Sequence, residues 1–313
     1  MDEQLAVAGV QRVAEVEQPR VRPWGTVLTA QTSRGQVWLK APAPETAFEV
    51  GLYELLHAVT PDYVLAPIAA DVQRGWVLLP DGGPVLFDEV SGPELVDALV
   101  VMLAQYGQMQ RDLASHVDEL LALGVADMRA AIMPARFDEA LDAVSRYVDR
   151  HGAAAERNMF AQVSGLRAPF GRWCERLAAA PGAPSLDHND LHPHNIFATG
   201  MSGTGTAKFY DWGDSVVAHP FASMLVALDY LREFLDDPDG SSVLRARDAY
   251  LEVFSDLAPR ADLVQAMELA THVGLVARAL VWERALRTSG DADEPPEDAA
   301  APLEHLAALL HGL

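Results

Sequence analysis

One short polar segment, His188–Asn195, constrains the fold and the chemistry of this chain more than any other feature. It reads His-Asn-Asp-Leu-His-Pro-His-Asn, and two runs of strand-forming residues follow it, at 195–198 and 207–210, joined by a connector rich in Gly, Ser and Thr. The second run leads directly to Asp211, which stands before a Trp-Gly pair. An antiparallel hairpin of these two runs would bring Asn195 and Asp211 side by side.

The polar groups of this region match what phosphoryl transfer requires from a protein. That reaction needs a carboxylate that orients the attacking hydroxyl, and oxygen ligands for Mg²⁺. Asp190 is the predicted orienting group or catalytic base, and Asn195 and Asp211 are the predicted magnesium ligands. The order His-x-Asp-Leu-x-x-x-Asn is also the catalytic-loop pattern of kinases.

The first part of the chain supplies a strand lysine followed by a helix that carries glutamates. Residues 25–30 and 36–40 are predicted strands of a β-hairpin, and Lys40 ends the second strand. In kinases a lysine in this position holds the α- and β-phosphates and pairs with a glutamate on the next helix. We predict that Lys40 has this role with Glu49 as its partner, and Glu54 is the alternative partner.

The predicted elements divide the chain into two parts. Two further strands, at 64–68 and 75–79, complete a small sheet, and a Pro-Asp-Gly-Gly-Pro sequence ends it sharply as a predicted hinge. We therefore predict an α+β fold with two lobes: a small β-rich lobe at 1–80 and a large, mainly helical lobe at 81–313.

Residues 81–313 are predicted to be mainly helical because apolar residues recur there with a period of 3.6 residues. Helices are predicted at 94–113, 137–148 and 161–179, and the chain after Phe221 is again mostly helical. The short hairpin described above interrupts this helical part.

These features together resemble the aminoglycoside phosphotransferase and choline-kinase-like family of small-molecule kinases, which have a protein-kinase-like fold. The resemblance extends over about residues 20–290 and is carried by Lys40, the helix with Glu49, the hinge at 78–81, the loop His188–Asn195 and the Asp-Trp-Gly-Asp sequence from Asp211. It implies ATP and Mg²⁺ as cofactors. It also implies transfer of the γ-phosphate to a hydroxyl of a small molecule, such as an aminoglycoside or another amine-bearing compound.

The resemblance also assigns the nucleotide base to the hinge, so that Leu78, Leu79 and Asp81 are predicted nucleotide-binding residues. The family often has glycine where this chain has Asn189 and His194. Asparagine tolerates unusual backbone angles better than most residues, so we expect activity to be retained. His194 could crowd the substrate or contact it.

A second departure concerns the segment predicted to cover the phosphates, 21–26, which has one glycine instead of the three of the Gly-x-Gly-x-x-Gly pattern. Small-molecule kinases of the resembled family often have a degenerate loop here. His192 stands where protein kinases usually have lysine, which points to the small-molecule branch.

The net charge of −22 bears on the partners of the chain. Such a negative field repels phosphate backbones and anionic membranes, so neither nucleic acid nor a membrane surface is an expected partner. It would attract a cationic acceptor, and an acidic cluster of Glu233, Asp236, Asp237 and Asp239 could meet an amine-rich substrate. The sequence does not indicate an oligomeric state.

Cysteine content and the first residues bear on the cellular location. The single cysteine, Cys174, cannot form a disulfide within the chain, and it is predicted to be a partly buried helix residue. The acidic start of the chain has no basic segment followed by an apolar one, so no signal peptide is expected. A reducing cytoplasm is the expected location.

Two other functions are compatible with parts of the sequence. His188, Asp190, His192 and His194 alternate, and in an extended segment they would face one side and suit Zn²⁺ or a metal pair in a metal-dependent hydrolase. Pro193 favours a turn there, and this alternative leaves Lys40 and Asp211 unexplained. A catalytically inactive kinase homologue that only binds nucleotide is the second alternative.

Overall fold

The computed structural model describes residues 1–22, 24–198, 205–234, 240–287 and 298–311. Most of the predicted Gly/Ser/Thr-rich connector, at 199–204, lies outside the described residues. The same is true of Asp236, Asp237 and Asp239 of the acidic cluster and of Pro23 in the predicted phosphate-covering segment.

The N-terminal part forms a five-stranded antiparallel sheet in the order β1-β2-β3-β5-β4. Its strands are β1 (Glu17–Arg22), β2 (Gly25–Thr32), β3 (Gly35–Pro42), β4 (Ala69–Asp71) and β5 (Trp76–Pro80). The predicted hairpin is confirmed, since β2 and β3 pair along their whole length. Gly35 opens β3 at φ 103°, a conformation that glycine adopts without steric cost.

The two faces of this sheet bury different apolar residues, because side chains alternate along a strand. On the outer face, Leu39 and Leu78 pack with Leu5 of helix α1 (Asp2–Val7). On the inner face, Val77 and Leu79 join the main core, to which helix α2 (Phe48–Val59) also belongs. Helix α2 thus lies between the sheet and the helical part of the molecule.

One predicted strand is wrong. Residues 64–68 do not form a strand, and the chain enters the sheet only with β4 at Ala69. Pro67 has no N–H to give to a neighbouring strand, and sheet pairing begins directly after it, where the Ile68 N–H donates to the Leu78 carbonyl at 2.8 Å.

The rest of the described chain is mainly helical. Its helices are α3 (Leu86–Glu89), α4 (Gly92–Leu113), α5 (Val117–Ala122), α6 (Met133–His151), α7 (Ala154–Ser164), α8 (Arg167–Ala178), α9 (Met224–Phe234), α10 (Ser241–Glu252), α11 (Arg260–Arg287) and α12 (Ala301–Ala308). The predicted helices 94–113 and 137–148 are confirmed within α4 and α6. The single helix predicted at 161–179 is wrong, because the chain breaks at Gly165 into α7 and α8.

Short strands between these helices position the predicted site. Strand β6 (Ala126–Asp127), β7 (Ser185–Asp187) and β10 (Val216–Ala218) form a small sheet, and β8 (Ile196–Phe197) pairs with β9 (Lys208–Phe209). The hairpin predicted after the polar loop is therefore confirmed. Together these elements give the predicted α+β architecture, a small antiparallel sheet beside a large helical part. Within the described ranges, no helix is both long and apolar enough to cross a membrane.

Candidate active site

The loop after β7 turns sharply at Asn189, whose φ is 58°. Few residues other than glycine adopt left-handed backbone angles, and asparagine is one that does so more often. Asp187 holds the turn, since its carboxylate accepts the Asn189 N–H at 2.8 Å and the Ser223 hydroxyl at 2.7 Å. The side chain at 189 is accommodated, and Asp190 lies in the cleft that follows.

The carboxylate of Asp190 has three side-chain partners. Arg278 Nη2 donates to its Oδ1 at 2.8 Å, while Asn195 Nδ2 and His192 Nε2 lie 3.1 Å and 3.3 Å from its Oδ2. Burial alone would raise the pKa of Asp190, but His192 and Arg278 outweigh that effect and hold the pKa well below its usual range. Asp190 is therefore ionised at neutral pH.

Asn195 fixes the loop with its amide nitrogen. Its Nδ2 donates to the Asp190 carbonyl oxygen at 2.8 Å as well as to the carboxylate. These bonds do not use the amide oxygen of Asn195, and the residue lines the same cavity as Asp190 and Asp211. Amide and carboxylate oxygens are ligands that Mg²⁺ accepts, so Asn195 and Asp211 fit a magnesium site.

The hairpin joins Asn195 to Asp211, as its pairing requires. The Tyr210 N–H donates to the Asn195 carbonyl oxygen at 3.1 Å, and Asp211 follows directly. Asp211 has a φ of 64°, the other positive φ at a non-glycine residue in the described chain. Asp190 follows a residue with strained backbone, and the backbone of Asp211 is itself strained. Such strained residues cluster at functional sites.

Lys40 reaches across from β3 to both α2 and the Asp211 turn. Its Nζ lies 2.6 Å from Glu49 Oε1 and also contacts the Asp211 carboxylate. Glu49 is 0% exposed and also accepts the Trp212 N–H, whereas Glu54 is exposed on the far side of α2. Burial would lower the pKa of Lys40, but Asp211 and Glu49 outweigh it and raise the pKa, so Lys40 remains cationic.

Two adjoining cavities meet at these residues. The first, about 420 Å³, is lined by Asp190, Asn195, Asp211 and Lys40. The second, about 360 Å³, lies beside the predicted hinge and shares Lys40 and Asp211 with the first. Its walls are mostly apolar and come from the sheet, the hinge and the hairpin: Val27, Leu65, Leu79, Val85 and Phe197.

The hinge residues are divided between the two faces of the sheet. Leu79 and Asp81 line the second cavity, and Asp81 accepts a hydrogen bond from Trp38 Nε1 at 3.0 Å. Leu78 does not line it, because strand alternation turns its side chain to the outer face, where it packs near Leu5. Leu78 was predicted to bind the nucleotide, and this prediction is corrected: its side chain does not reach the cavity.

The histidines of the loop do not converge on one point. His188 is fully buried, with Nε2 2.9 Å from the Tyr210 carbonyl oxygen and its ring 4.7 Å from that of Trp212. His194 stacks on Phe87 at 3.9 Å. Among the described residues, no three His, Cys, Asp or Glu side chains are placed to bind one metal ion. The geometry therefore gives no support to a zinc site built from His188, Asp190, His192 and His194.

Two arginines of α11 complete the site, and sequence reasoning missed them. Arg278 binds Asp190, and Arg284 Nη2 donates to the Gly213 carbonyl oxygen at 2.7 Å. Asp214 lies between the two guanidinium groups, 3.3 Å from Arg278 and 3.6 Å from Arg284. Arginine is common on helices and these two belong to no motif, so the sequence offers no signal that separates them from surface residues.

Solved structures with similar folds share little sequence with this chain. An ethanolamine kinase of Plasmodium vivax, Pv091845, superposes with a TM-score of 0.63 at 13% identity, covering 95% of this chain and 82% of its own. A macrolide 2'-phosphotransferase type I gives 0.61 at 16% identity, covering 97% and 95%. A thermostable mutant of aminoglycoside phosphotransferase APH(4)-Ia gives 0.55 at 13% identity, covering 99% and 98%.

The fold is thus protein-kinase-like, with the strand lysine, the helix glutamate and the two aspartate-bearing segments facing one cleft. A search of curated protein sequences finds no match. The model of the phosphotransferase enzyme family matches residues 30–263, which is most of the chain. The chain belongs to the phosphotransferase enzyme family.

Proposed function

We propose that this protein is an ATP-dependent kinase that transfers a γ-phosphoryl group to a hydroxyl of a small molecule. The observation that carries the proposal is that Lys40, Asp190, Asn195 and Asp211 line one cavity although they come from distant parts of the chain. Membership of the phosphotransferase family narrows the chemistry to phosphoryl transfer.

The second cavity supports a nucleotide site at the hinge between the proposed lobes, 1–80 and 81–313. Val27 and Leu79 on the sheet side and Phe197 on the hairpin side give it apolar walls that suit a flat base. Lys40 lines both cavities, so its ammonium group stands where the phosphates of a nucleotide would pass from one to the other. Glu49 positions that ammonium group from α2.

Asn195 and Asp211 would hold Mg²⁺, which, when bound, neutralises the charge of the phosphates. Asn195 is fixed for this role by the two bonds of its amide nitrogen. Asp211 is fixed by Lys40, which contacts its carboxylate.

Asp190 orients the acceptor hydroxyl and accepts its proton. Because its pKa is held below the usual range, it is ionised and a weak base at neutral pH. A loose phosphoryl-transfer transition state needs little activation of the nucleophile, so orientation is the larger part of this role.

The net charge of the chain suggested a cationic acceptor, but the charges that line the cavity do not favour one. Four cationic side chains and five carboxylates line it: Arg20, Lys40, Arg278 and Arg284, with Glu45, Glu49, Asp190, Asp211 and Asp214. All of these carboxylates except Glu45 have a cationic partner. The cavity is therefore close to balanced and gives no support to a polycationic acceptor in particular.

The location we propose is the cytoplasm, where ATP is present and thiols stay reduced. Cys174 is a buried free thiol on α8, which is compatible with that environment.

An acceptor screen tests the proposed function. The purified protein is incubated with ATP and Mg²⁺ and with macrolides, aminoglycosides, ethanolamine or choline, and mass spectrometry follows the acceptor. We expect one class of acceptor to gain a phosphoryl group. Cleavage of a candidate without nucleotide, dependent on added Zn²⁺, would favour the hydrolase alternative, and nucleotide binding without turnover of any acceptor would favour an inactive homologue.

A further inference from the structure

Helix α11 reaches the catalytic loop through one nearly buried guanidinium group. The side chain of Arg278 is 12% exposed. Its Nη2 donates to Asp190 Oδ1 at 2.8 Å, and its Nη1 donates to the Asn189 carbonyl oxygen at 2.8 Å and to Asp214 Oδ2 at 3.3 Å. One side chain therefore holds the carboxylate of Asp190, the backbone before it and the turn that follows Asp211.

The backbone that Arg278 holds is the strained part of the loop. Asn189 has its φ at 58°, and its own side-chain Nδ2 is buried without a hydrogen-bond partner. The side chain of Asn189 therefore does not secure the turn. Its backbone is secured from both sides instead, by Asp187 on the N–H and by Arg278 on the carbonyl oxygen. Strained conformations persist only where the surroundings hold them in this way.

The same helix also holds the second segment of the site. Arg284 lies further along α11 and binds the Gly213 carbonyl oxygen, two residues after Asp211. Helix α11 is a continuous helix of 28 residues. Because it is rigid over this short distance, it ties the loop of Asp190 and the turn of Asp211 to a common support.

We propose that Arg278 is a positioning residue for phosphoryl transfer, which fixes the carboxylate of Asp190 relative to the Asp211 turn. This inference rests on the proposed function and adds a residue from α11 to it. Arginine suits the position because its planar guanidinium can serve several acceptors at once, and here it serves three. The ring of Trp282 lies 5.7 Å from its Cζ and gives it a further contact on the same helix.

Kinetics of Arg278 variants give the first test, with the acceptor that the screen identifies. Displacement of a reacting group by about 1 Å can lower the rate on the order of 100-fold, so Arg278→Met should lower kcat by about that factor. The KM for ATP should stay near the wild-type value, because the hinge cavity does not include Arg278. Arg278→Lys should recover part of kcat, since an ammonium group can still reach one of the three acceptors.

Arg287→Met is the matched control, because Arg287 lies on the same helix but pairs with Glu283 outside the cavity of Asp190. It should keep the wild-type kcat. A wild-type kcat in Arg278→Met, or a KM for ATP that rises as much as kcat falls, would overturn the proposed role.

Crystal structures of the wild type and of Arg278→Lys and Arg278→Met give a second test that does not need turnover. We expect the Asp190 carboxylate and the Asn189 carbonyl to move in the methionine variant while the Lys40–Glu49 pair stays in place. An unmoved Asp190 carboxylate contradicts the inference even if the enzyme is active. A wild type that phosphorylates no acceptor, with Asp190 displaced in the variant, contradicts the proposed function and leaves the positioning contact supported.

Discussion

Two glutamates on α2, Glu49 and Glu54, look equivalent in the sequence and differ completely in the structure. Glu49 points from the first turn toward β3, where Lys40 and the Trp212 N–H bind one of its oxygens. Glu54 stands on the exposed side of the same helix. Burial makes the first an obligatory partner, since a buried carboxylate without a cation is costly.

This difference predicts unequal effects of the same substitution. Glu49→Gln should lower kcat/KM for ATP by about 10- to 100-fold, which corresponds to about 1.4 to 2.7 kcal/mol of transition-state stabilisation. We expect this fall because Lys40 then forms an ion pair only with Asp211 and is less well placed for the phosphates. Steady-state kinetics at varied ATP measure it, and Glu54→Gln is the control that should match the wild type. Equal kinetics of the two variants would remove Glu49 from the proposed site.

At the scale of elements, the hinge packs closely against the β8–β9 hairpin. A Cβ added at Gly82 would stand 2.3 Å from Cζ of Phe197. The Ala198 N–H also donates to the Pro84 carbonyl oxygen at 2.9 Å, which holds the backbone of the hairpin against the hinge. Phe197 is one wall of the hinge cavity, and glycine at position 82 therefore shapes the proposed nucleotide site.

Gly82→Ala should weaken nucleotide binding, because the ring of Phe197 must shift in the cavity. We expect the Kd for Mg-ADP, measured by calorimetry, to rise about tenfold, equivalent to about 1.4 kcal/mol. Gly171→Ala in α8 is the control, since nothing lies within 4 Å of a Cβ there, and its Kd should equal that of the wild type. An unchanged Kd in Gly82→Ala would place the base elsewhere.

The start of the turn before α9 depends on a neutral histidine. His219 Nδ1 accepts the Phe221 N–H at 3.3 Å, and its Nε2 lies 3.1 Å from the Pro181 carbonyl oxygen. Burial lowers the pKa of His219 to about 4. The unfolded chain binds a proton near pH 6.5 and the folded chain does not, so stability is full above pH 6.5 and is lost as pH falls toward 4.

His219 therefore predicts a pH dependence of the free energy of unfolding. Between pH 7.5 and pH 5 this residue should account for a loss of about 2 kcal/mol. Urea unfolding at both pH values measures the loss, and His219→Gln should show a smaller difference between them because glutamine does not titrate. If the difference in His219→Gln were as large as in the wild type, other groups would cause the acid sensitivity.

The elements that the sequence predicts well are those with a strong local signal. The β2–β3 hairpin has alternating residues and a turn glycine, and α4 has a broad apolar stripe. Strand β1 went unpredicted because all of its residues are exposed and it has no apolar alternation. The two- and three-residue strands β6, β7 and β10 are too short for any periodic pattern, and pairing across the chain defines them.

At the scale of the whole molecule, the candidate site joins residues that are far apart in sequence. Asp190, Asn195 and Asp211 could be predicted because they fall in one compact motif. Lys40 could be predicted only from the kinase pattern of a strand lysine followed by a helix with a glutamate. Arg278 could not, since its contact with Asp190 spans 88 positions and depends on how α11 packs beneath the loop.

The net charge of the whole chain likewise does not describe the charge of the candidate site. The chain carries a charge of −22, but the cavity of Asp190 holds nearly equal numbers of carboxylates and cations. Most of the excess negative charge therefore lies elsewhere on the molecule. Local pairing, which the sequence does not reveal, leaves this cavity close to electrical balance.

The most direct test of the central claim is phosphoryl transfer by Asp190→Asn, measured together with its affinity for Mg-ADP. Asparagine keeps the shape of the side chain and removes the charge that orients the hydroxyl. We predict that formation of the phosphorylated acceptor falls by about 100- to 10,000-fold while the Kd for Mg-ADP stays at the wild-type value. Transfer by Asp190→Asn at the wild-type rate would contradict the account.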